Sequence, residues 1–277
     1  MSLLDVEGLT KSFRRRRLLR SGDEHRAVDD VTFSLDRGRT LAIVGESGAG
    51  KSTTARLVLR LIEPDAGAIR FDGTDLRNLS PGDLRRHRQH MQMIFQDPYS
   101  SLDPRVPIGR SVAEPLKVHR RQNRVDREAA AVRLLQRVGL GAHHVDRLPS
   151  ELSGGQLQRV SIARALTVDP QLIVCDEAVA ALDVSVRSQV LNLMLDIQEE
   201  RAVSYLFIAH DLGIVEAFAD DVLVMKEGAV VEQGPIRKVF SGPASEYTKE
   251  LLAAISIPDP ARRRRAPAVG SQRSLAT

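Results

Sequence analysis

Several stretches of the chain are apolar without interruption, among them "LAIV" at 41–44, "LIVC" at 172–175, "LFIA" at 206–209 and "VLVM" at 222–225. Short runs of this kind, with no polar residue at every second position, predict strands buried on both faces, as in a parallel sheet. Other segments alternate. "VTFSL" at 31–35 and "AIRFDG" at 68–73 read as half-exposed strands, the latter turning at Asp72-Gly73. "MQMIFQ" at 91–96 is a short strand followed by the turn-rich "DPYSSLDPR". Between the strands the period changes. A helix is predicted from Lys51 to about Leu61, ended by Pro64. Residues 108–148 are mostly helical in pattern, with Val132, Leu135 and Val138 on one face. "GGQLQRVSIARALT" is a further helix, stopped before Asp169-Pro170. Strands alternating with helices give an α/β fold. No internal repeat is evident, and residues 258–277 have the composition of a basic, disordered tail.

Composition narrows the classes. A chain of 277 residues suffices for one large domain or two modest ones. No apolar run approaches the roughly 18 residues of a membrane span. The start, "MSLLDVEGLT", carries Asp5 and Glu7 and does not read as a secretory signal. A single cysteine, Cys175, forbids an internal disulfide and fits a reducing cytoplasm. The net charge of +4 resides in two clusters, "RRRR" at 14–17 and at 262–265, without which the chain is slightly acidic. They read first as solvated loop and tail; anionic lipid headgroups and nucleic acid are the alternatives.

The candidate chemistry sits at the carboxyl ends of the predicted parallel strands, where open α/β sheets bind ligands. "GESGAGKST" comprises Gly45, Glu46, Ser47, Gly48, Ala49, Gly50, Lys51, Ser52 and Thr53, and fits G-x-x-x-x-G-K-[ST] between a buried strand and a helix. Such glycines let backbone N–H groups close around phosphate oxygens, and the helix N-terminus adds its dipole. Lys51 would reach the β- and γ-phosphates and Ser52 would ligate Mg²⁺. In "LIVCDE" two acids follow four apolar residues, which is costly unless a cation or a proton donor waits there. Asp176 suits a Mg²⁺ ligand and Glu177 a general base. His210 and Gln96 also end strands; the former suits the γ-phosphate, the latter Mg²⁺ or the attacking water. His87, His90, His143 and His144 lack the partners of a tetrahedral metal set and read as solvated.

A second glycine-rich stretch, "LSGGQLQRV" at 152–160, opens another helix. The order "GESGAGKST", Gln96, "LSGGQ", "LIVCDE", "ALD" at 181–183, His210 resembles the nucleotide-binding subunits of ABC transporters from about residue 3 to 257. The resemblance implies a RecA-like P-loop NTPase core with an antiparallel β edge, and an inserted helical subdomain at about 97–160, within a domain of residues 1–257. It also implies that two such subunits face each other head to tail, each ATP lying between the phosphate loop of one and Ser153, Gly154, Gly155 and Gln156 of the other. Asp183 belongs to that seam. Phe13, after "LTKS", matches the aromatic that stacks on adenine. "FQDPYSSLDPR", "DEAVAALDVSVRSQ" and "EYTKELLAAISIPDP" resemble the ATPases of peptide and nickel importers. The C-terminal cysteine cluster common in that group is absent here, which excludes an iron–sulfur site, and Ala180 stands where a serine is usual.

The resemblance thus implies an ATP- and Mg²⁺-dependent ATPase on the cytoplasmic face of a membrane. Its partners would be a second ATPase subunit, copy or paralogue, permease subunits contacted by the loop after Gln96, and indirectly a substrate-binding protein. Nucleic acid is not expected as a partner. The alternative of a soluble ABC ATPase acting on nucleic acid or ribosomes stays open on the arginine clusters. A nucleotide-binding scaffold without turnover is disfavoured by Glu177, Gln96 and His210.

Overall fold

A computed structural model describes residues 2–14, 24–120 and 122–254. The arginine clusters and the basic insert of 14–26 therefore lie largely outside the described residues, and the tail of 258–277 lies wholly outside. The chain forms β1 (Ser2–Arg14), β2 (Glu24–Asp36), β3 (Thr40–Val44), α1 (Lys51–Val58), β4 (Ala66–Phe71), β5 (Thr74–Asp75), α2 (Pro81–His87) and β6 (Met91–Ile94). There follow α3 (Ile108–His119), α4 (Arg124–Arg137), α5 (Gly154–Leu166), β7 (Leu172–Asp176), α6 (Val184–Arg201), β8 (Ser204–Ile208), α7 (Leu212–Phe218), β9 (Asp221–Lys226), β10 (Ala229–Pro235), α8 (Ile236–Ser241) and α9 (Glu246–Ala253).

Two sheets result. The larger has the order β10-β9-β3-β8-β7-β6, and the smaller the order β2-β1-β4-β5. β3 pairs in parallel with β8 and β9, and β7 in parallel with β6 and β8, while β10 returns antiparallel along β9. The smaller sheet is antiparallel throughout.

The uninterrupted apolar runs are explained by a core on each face of the large sheet. Ala42, Val44, Ile173, Cys175, Tyr205, Phe207, Val222 and Val224 join a cluster with the helices α3 to α8. The alternate residues Leu41, Ile43, Leu172, Val174, Leu206, Ile208, Leu223 and Met225 join a second cluster with α1 and the small sheet. A strand buried on both faces has no polar face to show, so alternation vanishes.

The structure shortens several expected elements. α1 stops at Val58 because Arg60 takes a left-handed φ of 48°, and the amides of Leu61 and Ile62 turn back to the carbonyl of Arg56. β6 ends at Ile94, so Gln96 sits in the loop beyond it. Residues 108–148 are mostly helical as expected, divided between α3 and α4, and after Val138 the chain runs through short 3₁₀ turns. Leu135 and Val138 are buried as expected, but Ala131 rather than Val132 completes their face. α3, α4 and α5 pack on one another and together form the crossover from β6 to β7.

Candidate functional site

The parallel strands deliver their ends to one edge of the large sheet, and the polar residues follow directly. After β3 the loop of 45–50 leads into α1. Two of its glycines are required by close backbone approach. A Cβ on Gly45 would stand 2.1 Å from the carbonyl oxygen of Met225, and one on Gly50 2.3 Å from that of Ala27. Gly48 differs: a Cβ there would meet nothing within 4 Å. Gly50 stands at the N-cap of α1 with a φ of 99°, and no side chain caps the helix. The first-turn amides are thus available to an anion. The amide of Glu46 is held from elsewhere, donating to the phenol oxygen of Tyr247 on α9 at 3.1 Å. The Lys226 ammonium lies 4.7 Å above the same ring.

Lys51 opens α1 and is buried, with 4% of its surface exposed. Its Nζ donates to the carbonyls of Gly45 and Glu46, both at 2.8 Å. Burial pushes its pKa down; the charges of Glu177 and Asp176 oppose that shift in part. Ser52 Oγ donates to Asp176 Oδ1 at 2.6 Å, and the Arg56 guanidinium stands 3.9 Å from the other oxygen of that carboxylate.

Glu177 follows β7 in a left-handed conformation, φ 52°, with its amide donating to the carbonyl of Ile208. This backbone is unusual for a residue with a Cβ and is retained where surrounding contacts determine it. Both carboxylate oxygens are engaged. Gln96 Nε2 donates to Oε2 at 2.8 Å, and His210 Nε2 contacts Oε1. A carboxylate gripped from both sides is aimed, and one facing a phosphate loop can take a proton from a water placed between them.

Phe13, Ser47, Gly48, Gly50, Lys51, Ser52, Thr53, Gln96, Glu177 and His210 line a single cleft of about 660 Å³. Asp176 reaches it through Ser52. Ala49 is buried behind the loop, its carbonyl accepting from the amide of Gly228. His25, the cross-strand partner of Phe13, and Ala27 also line the cleft, and the sequence did not single them out. These residues fit a nucleoside triphosphate with a divalent cation. Gly48 has open space before it, the helix start is uncapped, and the Ser52–Asp176 pair supplies oxygen ligands suited to a hard ion.

Ser153, Gly154, Gly155, Gln156 and Asp183 do not line this cleft. Ser153 is the N-cap of α5: its Oγ accepts from the Gln156 amide at 3.4 Å, and Gln156 Oε1 accepts from the Ser153 amide at 2.9 Å. The Gln156 side chain is thereby turned onto its own helix, with Nε2 3.4 Å from His144 Nε2. A Cβ on Gly155 would lie 2.4 Å from Val186 Cγ1 of α6, whereas one on Gly154 would meet nothing within 4 Å. Asp183 is exposed at the N-cap position of α6 and makes no capping bond. His144 departs from the expectation of a solvated histidine: it is buried, its Nδ1 3.1 Å from the carbonyl oxygen of Gly141.

Residues 28–180 match the family model described as "ABC transporter". The chain is 52% identical over 241 residues to the glutathione import ATP-binding protein GsiA of Escherichia coli, an alignment covering 87% of this chain and 39% of that protein. It thus spans about two fifths of the length of that relative. It is 47% identical to a probable peptide ABC transporter ATP-binding protein, y4tS, of Sinorhizobium fredii, with 95% of this chain and 75% of that one covered. Among solved structures, the dimeric post-hydrolysis state of the ATP-binding cassette MJ0796, bound to ADP and Pi, superposes with a TM-score of 0.76 at 26% identity. That match covers 84% of this chain and 99% of the other.

Proposed function

This chain belongs to the ABC transporter family, as its ATP-binding domain, and on that premise we propose that it hydrolyses ATP to drive an importer of peptides or peptide-like molecules. The observation that carries the reading is the grip of Gln96 and His210 on Glu177, in the cleft that also holds Lys51 and Ser52. Lys51 binds the β- and γ-phosphates, and the backbone around Gly48 and the start of α1 completes the cradle. Ser52 and Asp176, with Gln96 as a further candidate, hold Mg²⁺, which when bound offsets the negative charge of the phosphates. Glu177 accepts the proton of the attacking water, while Gln96 and His210 fix its orientation. Phe13 offers its half-exposed ring to the base.

Peptide cargo rests on the likeness to a glutathione import protein and a peptide transporter protein. Nickel, the other cargo the sequence suggested, has no counterpart in those relatives. No helix among the described residues is long and apolar enough to cross a membrane. From the family and the likeness to import proteins we place the chain on the cytoplasmic face, against permease subunits that a substrate-binding protein serves. Residues 1–257 act as the ATP-binding domain, with about 97–160, which include α3 and α4, as its helical subdomain.

Because Ser153 and Gly154 stand outside the chain's own cleft, we assign them, with Gly155, Gln156 and Asp183, to the nucleotide of a partner subunit. A mixing experiment tests this. Lys51→Ala removes one phosphate loop, and Ser153→Arg spoils one facing cradle at a capping cost of about 1 kcal/mol. Neither variant hydrolyses ATP alone, and a mixed pair, made with the native partner if that is a paralogue, recovers activity through its one complete site. Loss of ATP binding by the Ser153→Arg monomer would place that cradle in cis and overturn the assignment.

A further inference from the structure

Two segments flank Glu177: the loop from Ala178 to Asp183, which leads into α6, and His210–Asp211, which leads into α7. A cavity of about 210 Å³ lies between them, bordered by Glu177, Ala180, Arg187, His210 and Asp211. Across that gap one side chain makes polar contacts on both sides. Arg187, in the first turns of α6, donates from Nη1 to Asp211 Oδ2 at 3.2 Å. Its Nη2 donates to the carbonyl oxygen of Leu182 at 3.1 Å and reaches that of Ala180 at 3.5 Å. The second oxygen of Asp211 caps α7 through the amides of Gly213 and Ile214, at 3.0 and 3.3 Å. One guanidinium therefore joins the backbone of the loop ending at Asp183 to the helix cap directly after His210. Ala180 has no hydroxyl with which to make such a link itself.

The chemistry of the side chain suits this use. An arginine fork is planar and rigid, so a shift of the loop carbonyls is passed to Asp211 rather than absorbed by rotation. An exposed ion pair contributes little stability of its own, and Asp211 is half exposed. In addition, Arg187 Nε is buried without a partner. A buried donor left unpaired is unfavourable, so a rearrangement of the carbonyls around the fork has something to gain.

We propose that Arg187 is a positioning residue that couples the partner-facing loop of Ala180–Asp183 to the His210–Glu177 pair, so that closure of a second subunit against Asp183 sets His210 for hydrolysis. This rests on the composite-site reading given above.

The test uses full-length Arg187→Ala, Arg187→Lys, His210→Ala and the double variant Arg187→Ala/His210→Ala, each in the assembly that hydrolyses ATP. Arg187→Ala lowers kcat about tenfold or more while KM for Mg-ATP stays within about twofold, because the phosphate loop is untouched. Arg187→Lys, which keeps the charge but reaches only one side of the gap at a time, recovers part of the loss. In single-turnover measurements with enzyme in excess, Arg187→Ala removes nothing further from the residual rate of His210→Ala, since both act through one group. Should Arg187→Ala fold poorly, Arg187→Gln takes its place. Normal turnover in Arg187→Ala beside a crippled His210→Ala would overturn the coupling alone, as would losses that multiply in the double variant. Normal turnover in His210→Ala would overturn the coupling together with the role assigned to His210 in the cleft.

Discussion

Replacing Glu177 by glutamine separates the chemistry of the cleft from its architecture. In the native chain the carboxylate accepts at both oxygens, from Gln96 Nε2 at 2.8 Å and at the His210 contact. Glutamine keeps one acceptor oxygen and gains an NH₂, so one of the two neighbours must change role. His210 can keep the oxygen, and Gln96 can rotate its amide to present Oε1 to the new NH₂. The exchange is one hydrogen bond for another, at a net cost within about 1 kcal/mol. Glutamine also occupies the left-handed backbone at 177 no less readily than glutamate. The fold and the phosphate loop are therefore retained, and the lost property is the basic oxygen. Loss of a general base lowers the rate typically 10²- to 10⁴-fold, or about 2.7–5.5 kcal/mol of barrier. Phosphate release under Mg-ATP should fall by that factor, ATP affinity should hold within about twofold, and light scattering should show an ATP-bound dimer that persists instead of dissociating. Near-normal hydrolysis would remove Glu177 as the base. A collapse of ATP binding would show that the carboxylate is needed to build the site.

Two further outcomes follow from the phosphate loop. Tyr247→Phe keeps the ring beneath Lys226 but leaves the Glu46 amide without its acceptor. ATP binding measured by calorimetry should weaken by roughly 2- to 12-fold, the equivalent of one hydrogen bond of 0.5–1.5 kcal/mol, with kcat little changed, and an unaltered affinity would refute a role for the phenol. Lys51 in the free protein gives up its proton below the ordinary lysine value of 10.5, because burial disfavours the ammonium. Phosphates favour the charged form, so ATP binding should take up protons and weaken as the pH rises through the alkaline range, seen in buffers of different ionisation enthalpy; proton release would contradict the assignment.

The sequence was most legible where one physical demand dominates. The apolar runs at 41–44, 172–175, 206–209 and 222–225 face a core on each side, and all four are strands of the large sheet. α6 was harder to read. Its buried residues Val190, Leu193, Met194 and Ile197 fall at helical spacing, but the exposed Val184 and Leu195 blur the stripe. The length of β1 and β2 was likewise obscured, because register shifts along their pairing break the simple alternation. Within the site, the residues that appear in contiguous motifs were legible, since a phosphate loop constrains neighbours in sequence. Tyr247 was not: it reaches Glu46 across 201 positions, and nothing local to "SEYTKE" points to a phosphate loop. Arg187 was hidden for a related reason. On a helix an arginine looks like any solvated cation until Leu182 and Asp211 are seen on either side of it.

The two glycine-rich stretches differ in what their glycines must avoid, and that difference yields a sharper test of the second one. Gly45 and Gly50 are excluded from carrying a side chain by the carbonyls of Met225 and Ala27, and Gly155 is pressed against Val186 of α6. The backbone requires the first two, and a methyl at 155 fits only if Val186 moves. Gly154 has no such reason: a Cβ there meets nothing within 4 Å, and its backbone φ lies outside the left-handed range. As the first residue of α5, it should gain from substitution by alanine, by up to roughly 0.5–1 kcal/mol. Gly154→Ala should therefore leave the thermal midpoint equal or slightly raised, and ATP binding by the isolated chain unchanged. If a partner's phosphates approach the open start of α5, the added methyl stands in their path, and hydrolysis by the assembly should fall about tenfold or more. Gly155→Ala gives the contrasting result, because Val186 must rotate away and stability is lost before any question of catalysis arises. A Gly154→Ala assembly that turns over normally would mean that the space in front of α5 is solvent and nothing more, and the reason for a glycine at 154 would have to be sought elsewhere.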